Sequence, residues 1–156
     1  MVNSSALRSI MGFSAGALRL DKAAWQALQN LDQAYSFTPW PSKAWANLGN
    51  NYYVVAGMQE KVWVGFALLQ VGIDHDWHLI NLTVHPQWRR QGLAKALLQY
   101  LQGWGELDSI YLEVAEANAP ARALYHQMGF KELCRKKAFY HDGQAAFAMQ
   151  WKRGNT

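Results

Sequence analysis

The stretch Val84-His85-Pro86-Gln87-Trp88-Arg89-Arg90-Gln91-Gly92-Leu93-Ala94-Lys95-Ala96-Leu97-Leu98 holds the residues best suited to gripping a polyanion. A β-type run from Leu79 to Val84 stops at a Pro turn, two arginines and a glycine follow, and an amphipathic helix begins. That order aims main-chain N–H groups, a helix N-terminus and cations at one spot, which suits a pyrophosphate. Gly92 lets the main chain approach phosphate oxygens where a Cβ would intrude. The pattern is neither Gly-x-x-x-x-Gly-Lys-Ser/Thr nor Gly-x-Gly-x-x-Gly. Taken alone, it fits an ordinary strand–turn–helix with a surface Arg pair equally well.

A second constellation lies downstream, over Ile110 to Phe130. Ile110 to Val114 reads as a short strand, and alternation puts Glu113 on the face opposite Leu112 and Val114. A carboxylate in so apolar a setting is either solvated at an edge or used. Asn118 can cap the next helix, whose first turn accepts Pro120. Leu124 and Met128 share a helical stripe with Tyr125 beside them. Gly129 supplies the left-handed exit that Phe130 closes over.

Together the two blocks resemble the GNAT N-acetyltransferases. Arg89-x-x-Gly92-x-Ala94 matches that family's acyl-CoA pyrophosphate loop. Leu-Glu-Val, Asn, Ala-Leu-Tyr and Met-Gly-Phe match the second half of its core. Phe37-Thr38-Pro39-Trp40 and Phe139-Tyr140-x-Asp142-Gly143 resemble its RimI-like branch, the ribosomal-protein-alanine acetyltransferases. The resemblance implies a single GNAT domain over residues 1–156. It implies a mixed, mostly antiparallel sheet of six to seven strands flanked by about four helices, with the acyl-CoA at the splay between two central strands. The implied co-substrate is acetyl-CoA, with no metal. Arg89, Arg90, Gln91, Gly92, Leu93, Ala94 and Lys95 would hold the pyrophosphate. Main-chain groups of Leu82, Thr83 and Val84 would hold the pantetheine arm and polarise the thioester, and Asn118 would touch the cofactor as well as cap its helix. Glu113 is implied as general base, acting through water. Tyr125, with an ordinary phenol pKa near 10, suits protonation of the departing thiolate.

The implied acceptor is a protein N-terminal α-amine, with an N-terminal Ala of a ribosomal protein as the specific expectation. A lysine or small-molecule amine is the alternative within the same chemistry. A non-catalytic acyl-CoA-binding or partner-binding domain is the alternative from another class. Two departures fall near the acceptor side. Ala115-Glu116 follows Leu-Glu-Val where the family has Arg, and the last hairpin, Asp142-Gly143-Gln144-Ala145-Ala146, lacks the usual acidic residues and looks shortened. Trp40 and Trp45 are candidates for the acceptor groove, at least one of them being core.

The elements that must position these groups follow from patterning. Asp21 caps a helix with the stripe Trp25, Leu28, Leu31 and Tyr35. Thr38 to Pro41 is a break, and a short helix runs from Ser42 until Gly49. Tyr52 to Met58 and Val62 to Val71 read as strands joined by Gln59-Glu60-Lys61. His78 to Val84 is the next strand, Gly92 to Trp104 the central helix, Ser109 to Val114 a strand and Ala119 to Met128 a helix. Lys131 to Lys137 and Ala145 to Trp151 form a closing hairpin. A weaker first strand falls at Ile10 to Phe13 or Ala17 to Leu20. One α/β domain with a mixed sheet follows.

Composition sets bounds on function. A 156-residue chain with 51% hydrophobic residues suits one globular domain with a real core. No apolar run approaches the roughly 20 residues of a membrane helix, and no secretory signal is expected. The single Cys134 fits a reducing cytoplasm and reads as a small buried hydrophobe. The five His are scattered, without zinc spacing, and His126 is expected at the surface. The net charge of +4 is dispersed apart from Arg135-Lys136-Lys137, a solvated strand end, so a CoA-like polyanion is a better partner than nucleic acid.

Overall fold

Seven strands hydrogen-bond into one sheet in the order β1-β2-β3-β4-β5-β7-β6. The computed structural model describes residues 9–154. The strands are β1 (Ser9–Ser14), β2 (Tyr52–Gln59), β3 (Val62–Gln70), β4 (Asp76–Val84), β5 (Ser109–Ala115), β6 (Lys131–Lys136) and β7 (Ala146–Lys152). The helices are α1 (Ala15–Leu20), α2 (Lys22–Tyr35), α3 (Ser42–Ala46), α4 (Leu93–Gln102) and α5 (Ala119–Gln127). All neighbours pair antiparallel except β4 and β5, which run parallel. The crossover between those two is α4, as a parallel pair requires.

The seven strands match the expected sheet, and the helix count is one higher. The weak first strand resolves to Ser9–Ser14, while Ala17 to Leu20 belongs to α1. Ser14 decides this locally, because its hydroxyl accepts from Ala17 N and caps the helix. Asp21 caps α2 in the same way, through Ala24 N. The short helix after the Pro break ends at Ala46, before Gly49.

The sheet carries a layer of helices on each face. On one side α4 and α5 cover Val55, Ala67, Leu69, Trp77, Leu79, Ile110, Leu112 and Met149. The buried stripe Leu93, Leu97, Leu98 and Leu101 holds α4 there, each leucine contributing about 2 kcal/mol on burial. A Cβ on Gly57 would meet Leu93 at 2.8 Å and one on Gly65 at 3.0 Å, so these two positions let the first turn of α4 sit close on β2 and β3. On the other side α1, α2 and α3 pack over Val54, Ala56, Phe66 and Leu68.

Candidate active site

The parallel pair β4–β5 stays in register only from Asp76↔Ser109 to Leu79↔Leu112. Beyond Leu79 the two strands part. On its other edge β4 skips a residue against β3, pairing Leu69 with Leu79 and Leu68 with Asn81, so Ile80 forms a bulge. A bulge bends its strand, and this one bends β4 away from β5. It also leaves Ile80 and Asn81 on the same face, Ile80 packed in the α2-side core and Asn81 bonded to α2. The opening is a cavity of about 610 Å³ lined by both diverging strand ends, Arg89, Arg90, Asn118, Tyr125 and Tyr140. A second cavity of about 420 Å³ continues from it between α4 and α5, past Gly92, Lys95 and Trp88.

Glu113 lies at this opening. Its strand is interior, between β4 and β7, so the solvated-edge alternative does not apply. The carboxylate is 9% exposed, and His78 Nε2 stands 3.0 Å from its Oε1. His78 is the strand partner of Tyr111, two residues before Glu113 and on the same face. The sequence reading missed His78 because the pairing is a matter of register between distant segments. Tyr125 is buried on α5 beside Phe130, lines the same cavity and makes no hydrogen bond through its hydroxyl among the described residues. Burial, with a smaller contribution from Tyr140, pushes its phenol pKa well above the ordinary value. Tyr140, quoted from the sequence only within the motif Phe139-Tyr140-x-Asp142-Gly143 and given no site role there, also lines the cavity. Its phenol is pushed up to about 12 by burial and then by the charge of Glu113.

The anion loop is built as its residues direct. Arg89 is held by Val84, to whose carbonyl its Nε donates at 3.0 Å, and by Tyr35, whose carbonyl takes its Nη2 at 3.1 Å. Arg89 therefore ties β4 to the end of α2, whereas Arg90 and Lys95 make no ion pair among the described residues. Gln91 donates to Gln87 O. Gly92 has φ +81 at the N-cap of α4, and a Cβ built there would meet nothing within 4 Å. Space therefore lies open before the first N–H groups of α4, which have no intrahelical acceptor. That donor set, with Arg90 and Lys95, fits a pyrophosphate. Leu93 is buried beneath the loop, and Ala94 lines both cavities. Val84 is core, Leu82 packs against it, and Thr83 is buried facing α2. Asn118 caps α5 through Ala121 N at 3.4 Å while lining the cavity.

One wall rests on a buried carboxyl that the sequence reading passed over. Asp32 accepts from Ser36 Oγ at 2.5 Å, Trp40 N at 2.9 Å, Trp45 Nε1 at 2.8 Å and Asn81 Nδ2. Thr83 joins through contacts with Ser36 and Asn81. The network fixes the 36–40 loop to β4. Its sequence signal is an acidic residue at the i+4 position of the Leu28, Leu31, Tyr35 stripe. Trp45 is fully buried core, and Trp40 packs partly buried against Tyr52. Cys134 is corrected: it lies exposed on edge strand β6, because that strand has no layer over it. His126 is half exposed but reaches Glu132 at 3.2 Å.

Among the described residues no group of His, Cys, Asp or Glu could hold a metal ion. No described helix is long and apolar enough to cross a membrane. A splayed parallel pair, an open helix N-terminus beside it, a carboxylate on one strand and a phenol on the next helix together offer the parts that acyl transfer from a CoA thioester requires. The sequence model of the Acetyltransferase (GNAT) family matches residues 19–130, and the chain belongs to that family. It is an N-acetyltransferase, of a family whose acyl donor is acetyl-CoA. It is similar to the [ribosomal protein bS18]-alanine N-acetyltransferase of Escherichia coli K12, with 35% identity over 118 residues covering 73% of this chain and 79% of that one. The Salmonella typhimurium enzyme of the same name is 34% identical over 128 residues, 78% and 82% of the two chains. The crystal structure of the Escherichia coli ribosomal-protein-S18-alanine N-acetyltransferase superposes with a TM-score of 0.78 at 29% identity, covering 95% and 96%.

Proposed function

We propose that this enzyme acetylates a protein N-terminal α-amine in the cytoplasm, with the N-terminal alanine of a ribosomal protein as acceptor, and that residues 1–156 act as one catalytic domain. The observation that carries the reading is that Glu113 and Tyr125 line one cavity from its two walls. Acetyl-CoA, when bound, supplies a thioester whose acyl carbon is the electrophile. Arg90, Lys95 and the N–H groups opening α4 bind the pyrophosphate. Main-chain groups of Leu82 to Val84, which have no ladder partner on β5, take the pantetheine arm and the thioester oxygen. Glu113 accepts the proton the amine loses, directly or through one water, and His78 holds one of its oxygens. Tyr125 gives its proton to the leaving sulfur. Its raised pKa keeps the hydroxyl protonated until that moment.

The acceptor follows from the same chemistry. An α-amine, with pKa near 7.7–8.0, is about 2.5 units easier to deprotonate than a lysine near 10.4, roughly 3.4 kcal/mol. One carboxylate suits the easier task. The similarity to alanine N-acetyltransferases supports the same choice. The test is thiol release from acetyl-CoA with an Ala-initiated peptide from the small ribosomal subunit, its N-terminally blocked form containing lysine, and polyamines. The open N-terminus is expected to react fastest. Faster reaction of the blocked peptide or a polyamine moves the acceptor to lysine or a small amine.

A further inference from the structure

We infer that Leu79 and Leu112 set the length of the acyl group this enzyme transfers: they floor the splay beneath the thioester, so that acetyl fits and butyryl does not. The inference rests on the placement of the donor proposed above and concerns the donor side alone. Leu79↔Leu112 is the last pair of the β4–β5 ladder before the strands part. Both side chains line the cavity, and they are only 2% and 1% exposed. Alternation puts Leu112 on the face opposite Glu113, and both leucines belong to the core beneath α4 and α5. Below them the ladder runs in register through His78↔Tyr111 and Trp77↔Ile110 to Asp76↔Ser109. The same core holds Leu97, Leu101 and Met149, all fully buried. An interior packed in this way does not yield to an added methylene without strain.

The direction of the acyl chain follows from where the reacting atoms must lie. The pantetheine arm comes from the open end of the splay, on the side of Arg90 and the N-terminus of α4. The sulfur has to reach Tyr125 on α5. The carbonyl carbon has to meet an amine held at Glu113, which projects from the other face of the sheet. A thioester is planar, and its sulfur and its acyl chain leave the carbonyl carbon in different directions. With the sulfur toward the open end, the acyl chain points to the closed end, at Leu79 and Leu112. The other way out leads past Glu113, and that space belongs to the incoming amine. Added methylenes on the acyl group therefore meet packed leucine instead of water.

The experiment measures the affinities of CoA, acetyl-CoA, propionyl-CoA and butyryl-CoA by isothermal titration. It uses the native full-length enzyme, Leu79→Ala, Leu112→Ala and the milder Leu112→Val. A mismatch of one methylene in an apolar pocket is worth about tenfold or more, so native butyryl-CoA should bind at least about tenfold more weakly than acetyl-CoA. Each Leu→Ala change opens the floor, and the penalty on butyryl-CoA should largely disappear. Leu112→Val opens it less and should relieve propionyl-CoA first. Free CoA carries no acyl group, so its affinity should stay native in every folded variant. Where a buried Leu→Ala change costs too much stability for the chain to fold, Leu112→Val decides. Equal native affinity for acetyl-CoA and butyryl-CoA overturns the inference. So does the native order of affinities persisting in variants that still bind CoA. The readout is donor binding and does not depend on the acceptor. Failure to acetylate an Ala-initiated peptide would count against the α-amine reading and leave these affinities standing.

Discussion

In the proposed mechanism Glu113 takes the amine's proton and Tyr125 supplies a second proton to the leaving sulfur, and their environments differ accordingly. The phenol is buried against Phe130, while the carboxylate sits where an acceptor can enter and is held by His78. Tyr125→Phe keeps the ring and its packing but removes the proton. We expect turnover to fall about 10²- to 10⁴-fold, as for loss of a general acid, with a much smaller change in acetyl-CoA affinity. Steady-state kinetics beside a binding titration checks this, and near-native turnover in the Phe variant would take Tyr125 out of the mechanism. Glu113→Gln should lower the rate most at low pH. There the α-amine is protonated and needs a base, whereas above its pKa near 7.7–8.0 it is already neutral. A pH–rate profile showing the same loss at every pH would assign Glu113 to positioning instead.

The elements matter through their ends. The N-terminus of α4 is usable because Gly92 turns the chain left-handed and leaves the space before it open. Gly92→Val adds a side chain to that space and strains the backbone at φ +81. A fall in CoA affinity of tenfold or more by isothermal titration is expected, and unchanged affinity in the folded variant would move the pyrophosphate elsewhere. The C-terminal half of α2 acts through Asp32. Asp32→Ala strips the acceptor from Trp45 Nε1, Trp40 N and Asn81 Nδ2 at once. Each buried donor left unpaired costs about 1–3 kcal/mol, so urea unfolding should show a loss of roughly 3 kcal/mol or more. Turnover should fall as well, because the 36–40 loop and the Asn81–Thr83 wall lose their common anchor. A loss below about 1 kcal/mol would mean that water replaces the carboxyl.

At the scale of the whole molecule, the cavities lie between layers rather than on one element. The first cavity is lined by the end of α2, by β4, by β5, by α5 and by the β6–β7 loop. A ligand bridging these parts binds only the folded chain. Acetyl-CoA at a hundred times its dissociation constant should therefore stabilise the fold by about 2.7 kcal/mol. For a domain of this size that corresponds to a rise in Tm of roughly 5–10 °C. Thermal unfolding with and without the ligand checks it, and a Tm insensitive to acetyl-CoA would contradict binding across the splay.

Local chemistry was legible because it repeats at short range. Arg89 to Lys95, the Asn118 cap, the Gly129 exit and the strand phase of Glu113 each follow from spacing within a few residues, and with them came the sheet, most helix limits and the family. Ser14 decided α1 against a strand through one cap, a choice too close for patterning to make. What only the tertiary structure decided depends on pairing between distant segments. The bulge at Ile80 sets where β4 leaves β5, the register His78↔Tyr111 brings a histidine to Glu113, and Arg89 is drawn to main-chain carbonyls instead of standing free. Cys134 shows the same limit in reverse. Its own strand is readable, but whether a layer covers that strand depends on where the helices go, and a sheet edge with no helix above it leaves even a small apolar side chain in water.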